Sequence, residues 1–163
     1  MRPSAADRIE GARPGGSSAA RDGDVRVMET TTAMMRDMTM PSDMGMDMRM
    51  MQEAIDACSM CMQACTMCSD AMGGMEGMGA CASRCAMCAD VCMTTMRMMM
   101  RPAGMDRTAM VAMLEACIAM CAACMTECRM HADMSATCAM CADACQACDA
   151  ACSALLASMA ADA

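Results

Sequence analysis

The seventeen cysteines of this chain fall into four runs, and within each run consecutive members stand three or four residues apart. The first run is Cys58, Cys61, Cys65 and Cys68. The second is Cys81, Cys85, Cys88 and Cys92, the third Cys117, Cys121, Cys124 and Cys128, and the fourth Cys138, Cys141, Cys145, Cys148 and Cys152. A thiol serves as nucleophile, redox partner or soft-metal ligand, and the thiolate is the active form in each role. A nucleophile or a redox pair needs one or two privileged thiols. Seventeen in one register point instead to metal.

Alternation of three and four is the a/d repeat that lays side chains along one seam of a helix. Neighbouring seam positions lie one turn apart, with Cβ atoms about 5 to 6 Å from each other. A pair such as Cys61 and Cys65 therefore brings two sulfurs onto one ion. If each thiolate bridges two ions, capacity reaches on the order of one ion per thiol. Thiolate and thioether are soft donors that select Cu(I) over Mg²⁺ or Ca²⁺. Zinc is the chemical competitor, because CxxC occurs at Cys58 and Cys61, at Cys65 and Cys68, at Cys85 and Cys88, and again in the later runs. A zinc knuckle, however, places its CxxC in a turn and gathers four ligands. Here the pairs lie inside unbroken heptads. The CxxCxxC run with a following Cys-Pro that marks a ferredoxin-type cluster is absent. Two further donors fall near one end of the pattern: His131 lies three residues after Cys128, and Met134 one turn before Cys138. They are candidate ligands at a mouth through which metal enters. Thr95 and Met99 continue the inward seam of the second run past Cys92.

Seams of this length require long helices, and the punctuation of the sequence supplies four. The first is expected over 46–72, stopping at Gly73 and Gly74, and the second over 80–100, with Pro102 just beyond. The third is expected over 106–130, with Asp106 or Thr108 as N-cap, and the fourth over 136–160, capped by Ser135. Steps of seven along the first helix give Arg49, Asp56, Gln63 and Asp70, and along the second Ser83, Asp90 and Arg97, so polar residues occupy the face opposite the thiols. Short connections make consecutive helices antiparallel neighbours. The expected fold is all-α: an antiparallel four-helix bundle over 46–163, preceded over 1–45 by a disordered, Met-rich extension.

Composition narrows the function. The chain holds 32 Met and 17 Cys but no Phe, Tyr or Trp, so sulfur takes the place that aromatic rings fill in an ordinary core. A core of Cys and Ala alone is poorly filled unless it has contents. A net charge of −8, with no basic cluster and no aromatic stacking residues, argues against a nucleic acid partner. Asp, Glu, Gln, Arg or Ser interrupts each apolar segment before the roughly 18 to 20 residues of a membrane span. Residues 1–27 show neither an apolar signal core nor paired arginines, which gives a cytoplasmic expectation. Thiols stay reduced in that compartment. An odd number of cysteines also fits no fully paired disulfide framework.

The four runs CSMCMQACTMC, CASRCAMCADVC, CIAMCAACMTEC and CAMCADACQACDAAC resemble those of the bacterial copper storage proteins, over about residues 46–160. The resemblance implies a cysteine-lined four-helix bundle that binds many Cu(I) ions, with the seventeen cysteines as ligands. It further implies a non-enzymatic storage, buffering or detoxifying role, exchange with a copper chaperone or thiol carrier, and a homo-oligomer, since the family includes tetramers. Methionine is more abundant than that family pattern needs, and the twin-arginine signal of its exported branch is missing. Two other functions remain open on the residues: storage of another thiophilic metal such as Zn or Cd, and a thiol redox enzyme using CxxC pairs.

Overall fold

The computed structural model of the protein describes residues 30, 32–38 and 46–161. Two compact units divide the chain, Met1–Met34 and Met35–Ala163. Of the first, the described residues are helical. The expectation of a disordered 1–45 falls for the most part outside the described residues.

Four long helices form the second unit: α1 (Met48–Gly73), α2 (Gly79–Met99), α3 (Arg107–Arg129) and α4 (Ala136–Ala161). Local chemistry sets their ends. The carboxylate of Asp47 accepts from the amides of Arg49 and Met50 at 2.8 and 2.9 Å. Asp106 does the same for Ala109 at 2.8 Å, and Ser135 for Cys138 at 3.2 Å, which settles the caps of α3 and α4. The turn from α1 to α2 passes through Gly77 at φ 80°, a backbone state that favours glycine. Pro102 has the opposite effect on α2. It disfavours helical backbone at Arg101, so the helix stops at Met99, one residue short of the expected end, and a single 3-10 turn over Pro102–Gly104 leads to α3.

Each helix packs against its neighbours in the chain, and α4 closes against α1, so the order around the bundle follows the order in sequence. Among the described residues the element order contains helices and no strands. By length and composition α3 and α4 would reach across a membrane, despite the polar residues that interrupt them, because Ala, Cys and Met dominate between the charges. Yet their seams face sulfur on α1 and α2, and Glu115, Asp143 and Gln146 lie exposed on their outer sides.

The core changes character along the bundle axis. All seventeen cysteines are buried and occupy its middle and the His131 end. Beyond the last thiols, where α2 ends and α3 begins, lie Met51, Met99, Met110, Leu114, Leu155 and Met159, all fully buried. These larger side chains fill volume that cysteine leaves empty, and each contributes roughly 1.5–3 kcal/mol by leaving water. The buried polar residue Thr95 joins them by turning its hydroxyl back to the Val91 carbonyl, at 2.8 Å.

Candidate metal centre

The helical register stacks the thiols in layers, with one cysteine from each helix in each layer. Nearest His131 are Cys68, Cys81, Cys128 and Cys138, in which Cys81 Sγ lies 3.9 Å from both Cys128 and Cys138. Next come Cys65, Cys85, Cys124 and Cys141, with Cys65 3.6 Å from Cys141 and Cys124 3.7 Å from Cys85. The third layer is Cys61, Cys88, Cys121 and Cys145, and the fourth Cys58, Cys92, Cys117 and Cys148. Within them Cys61 lies 3.7 Å from Cys145 and Cys58 lies 3.6 Å from Cys148. Cys152 stands beyond the fourth layer, 3.7 Å from Cys58, at a level where register supplies Thr95 on α2 and Leu114 on α3 instead of further thiols. The odd cysteine is thus the last rung of the column.

Layers also touch each other and cross the axis. Cys65 is 3.6 Å from Cys145 and Cys92 is 3.7 Å from Cys121, each pair spanning two layers. Cys61 reaches Cys121 at 4.0 Å and Cys92 reaches Cys148 at 3.9 Å, between diagonally opposed helices. Sets of four Sγ atoms lie mutually within 4.8 Å, and the sets overlap: Cys61 and Cys65 share one with Cys88 and Cys145, while Cys65 and Cys145 share another with Cys124 and Cys141. At a metal–sulfur distance of about 2.3 Å, three thiolates around an ion stand about 4.0 Å apart and four about 3.8 Å apart. The observed separations suit either number. They are also well beyond the roughly 2.05 Å of a disulfide.

Crowding divides the thiols in their readiness to ionise. A thiolate that accepts S–H donors is stabilised, and a thiol that donates to its neighbours keeps its proton. Cys61 and Cys88 fall far below the ordinary thiol value, each with Cys121 as foremost donor. Cys65, tied first to Cys124, and Cys92, tied first to Cys117, rise far above it. In the layer nearest His131 burial leads: it pushes Cys68 up, and with the charges of Cys128 and Cys138 takes Cys81 to about 12. Metal entering the column therefore displaces protons.

The two ends of the column differ. Outside the first thiol layer the seams of α1 and α2 continue to Met72 and Met78, and the turn from α3 to α4 carries His131 and Met134. Met72 Sδ lies 3.5 Å from Cys138 Sγ, and Met78 is buried in the same core. His131 is partly exposed, with Nε2 3.6 Å from Glu127 and Nδ1 buried without a hydrogen-bond partner. Glu127 also faces Arg84 at 3.7 Å. Met134 is 77 % exposed, and its amide donates to the His131 carbonyl at 3.1 Å. Of the residues singled out from sequence, the seventeen cysteines come together on the axis, His131 lies on the turn after α3 with its side chain against Glu127, and Met134 lies exposed on that same turn. Sequence reasoning passed over Met72 and Met78, although both continue the seam, Met72 four residues after Cys68 and Met78 three before Cys81.

A four-helix bundle that turns every thiol onto one axis is, by its geometry, a protein built to hold several soft metal ions. The family model described as copper storage protein, Csp, matches residues 47–157, and the chain belongs to that family. Among solved structures it is similar to the copper storage protein Ccsp of Streptomyces lividans loaded with 10 copper equivalents. The two share 36% identity at a TM-score of 0.72, over 77% of this chain and 98% of that one. A structure of copper loading to a cytosolic copper storage protein from the same organism, with five coppers, shows 40% identity and a TM-score of 0.65, over 67% and 93% of the two chains. A histidine-to-alanine variant of Ccsp gives 40% identity and 0.68, over 71% and 98%. A search among curated proteins returns no match.

Proposed function

We propose that this protein stores Cu(I), binding many ions along its axis through the thiolates of all seventeen cysteines. The observation that carries this reading is the sharing of Cys61, Cys65, Cys145 and Cys148 between overlapping sets of four sulfurs, which the set of Cys68, Cys81, Cys85 and Cys128 meets at Cys85, 3.7 Å from Cys124, so that the column supports a continuous array of bridged ions. Charge favours Cu(I) over the divalent alternatives. A zinc held by four thiolates retains a formal charge of about −2, whereas one Cu(I) per bridging thiolate leaves the array neutral. The described core holds no Lys or Arg to offset buried negative charge, and such charge is costly away from water.

Titration of the reduced protein with Cu(I) against a competing chelator tests the reading. On the order of one ion per thiol is expected; saturation after one or two ions would overturn it. Metal analysis of protein from cells supplied with both copper and zinc decides between the metals. Copper in large excess is expected, and a zinc-filled column would sink the assignment.

In this reading the protein is a store and not an enzyme. All its thiols are buried, whereas a CxxC reductase must present a reactive thiol to its substrate. Copper is exchanged with a thiol carrier or a copper chaperone, and His131 and Met134 serve the mouth. The cytosolic setting of the S. lividans relative supports a cytoplasmic location. Exposed Met60 and Met67 on α1 and Met140 on α4 support self-association, with a tetramer as the assembly that the family suggests. The acidic composition favours neither nucleic acid nor a membrane as partner.

A further inference from the structure

Away from the thiols, at the end of the bundle opposite His131, a cavity of about 560 Å³ opens where α2 gives way to α3. Four methionines line it, from three separate stretches of chain: Met38 before α1, Met98 and Met100 at the end of α2, and Met105 after the 3-10 turn. Methionine usually fills gaps. These four surround open space instead, and Met98, Met100 and Met105 are half-buried around it.

The other polar groups of the cavity narrow what it can hold. Neither cysteine nor histidine is among its described lining residues, and the charged ones are Arg101 and Asp106. Arg101 repels a cation, and Asp106 already caps α3 through the Ala109 amide. The side-chain donors left are neutral thioethers, which suit Cu(I) and offer little to Mg²⁺, Ca²⁺ or Zn²⁺. Sulfur also continues inward: Met51, Met99, Met110 and Met159 are fully buried between this end and the thiol column, whose nearest member is Cys152.

We propose that the Met38, Met98, Met100 and Met105 cavity is a thioether site for Cu(I), receiving copper at the end of the bundle opposite His131. It rests on the storage reading and extends it with a site that uses no cysteine. Thiolates bind Cu(I) more strongly than thioethers do, so an ion caught here moves down an affinity gradient towards Cys152, Cys58 and Cys117. The oxidation state does not change, and the step is exchange of one sulfur ligand for another.

The test uses the full-length chain labelled with ¹³C at its methionine methyl groups, each cavity signal assigned by a single Met→Leu substitution. Cu(I) is supplied as its acetonitrile complex until the thiolate-to-copper absorbance stops rising, and then in further small additions. Shifts of the Met98, Met100 and Met105 methyl signals over about one additional equivalent are expected. The Met98→Leu/Met100→Leu/Met105→Leu variant should lose that equivalent and keep the thiolate endpoint. Cavity signals that stay in place while the exposed Met130 or Met134 shifts would overturn the proposal, as would an additional equivalent retained by the variant. Failure of the storage reading would appear separately, as missing thiolate absorbance. Should the triple variant lose its helical circular dichroism, the signals of the unsubstituted chain decide alone.

Discussion

Cys138 Sγ lies 3.5 Å from Met72 Sδ, so the thiol column ends on a thioether at the level of His131. Met72→Leu keeps nearly the same volume and removes the sulfur. Uptake of Cu(I), followed by stopped-flow absorbance, is expected to slow by on the order of tenfold while the final capacity holds. An unaltered rate would reduce Met72 to packing.

Cys61 and Cys152 should not be equivalent. Cys61 has Cys65, Cys88, Cys121 and Cys145 within 4.0 Å, whereas Cys152 lies at the end of the column beside Cys58. Removing a bridging thiol in the middle disturbs more ions than removing the last one. Native mass spectrometry should find Cys61→Ala short by about two Cu(I) and Cys152→Ala by about one. Equal losses would argue against a bridged array.

Leu114 is fully buried beyond the last thiol layer, and Leu114→Ala should destabilise the metal-free protein by about 2–5 kcal/mol. Thermal unfolding measures the loss. Copper binds the folded column in preference to the unfolded chain, so loading should restore much of it. A metal-free protein indifferent to this substitution would show that the apolar end does not hold the bundle together.

The sequence made the site more legible than its surroundings. Cysteine at alternating three and four residues has one helical reading, and the seventeen positions fall on the axis as that reading requires. The caps at Asp106 and Ser135 were legible for a similar reason, since a side chain that accepts an amide at a helix start is a local device. The apolar end was harder to see. Met51, Met110 and Met159 have the same residue type as exposed Met60 and Met67, and only the partner helices decide which methionines are covered. The cavity beside Met98 and Met105 depends on three segments meeting, which periodicity does not encode. The end of α2 was misplaced by one residue because the influence of Pro102 extends back through Arg101.

Binding should strengthen as pH rises. Burial and the neighbouring charges of Cys128 and Cys138 hold Cys81 protonated up to about 12, above its ordinary value of 9.0. Coordination must therefore expel its proton throughout the neutral range, and each expelled proton raises apparent affinity about tenfold per pH unit. Chelator competition at about pH 6.5 and about pH 8.5, corrected for the chelator's own protonation, should show tighter binding at the higher value. Cys81→Ser should flatten the dependence for ions in the layer nearest His131. The raised value also has a consequence for the metal-free fold: the contribution of Cys81 to stability is complete below pH 9.0 and is lost as pH climbs towards about 12.

Met51, Met99, Met110, Leu114, Leu155 and Met159 hold one end of the bundle with apolar packing, beyond the last of the thiols. Capacity and cohesion are thereby assigned to different lengths of the same four helices. Inserting one heptad into every helix would lengthen the vessel by about 10 Å and add about two rungs of thiols. Its apolar end would remain as it is, so the size of such a vessel can change without redesigning the packing that holds the four helices together.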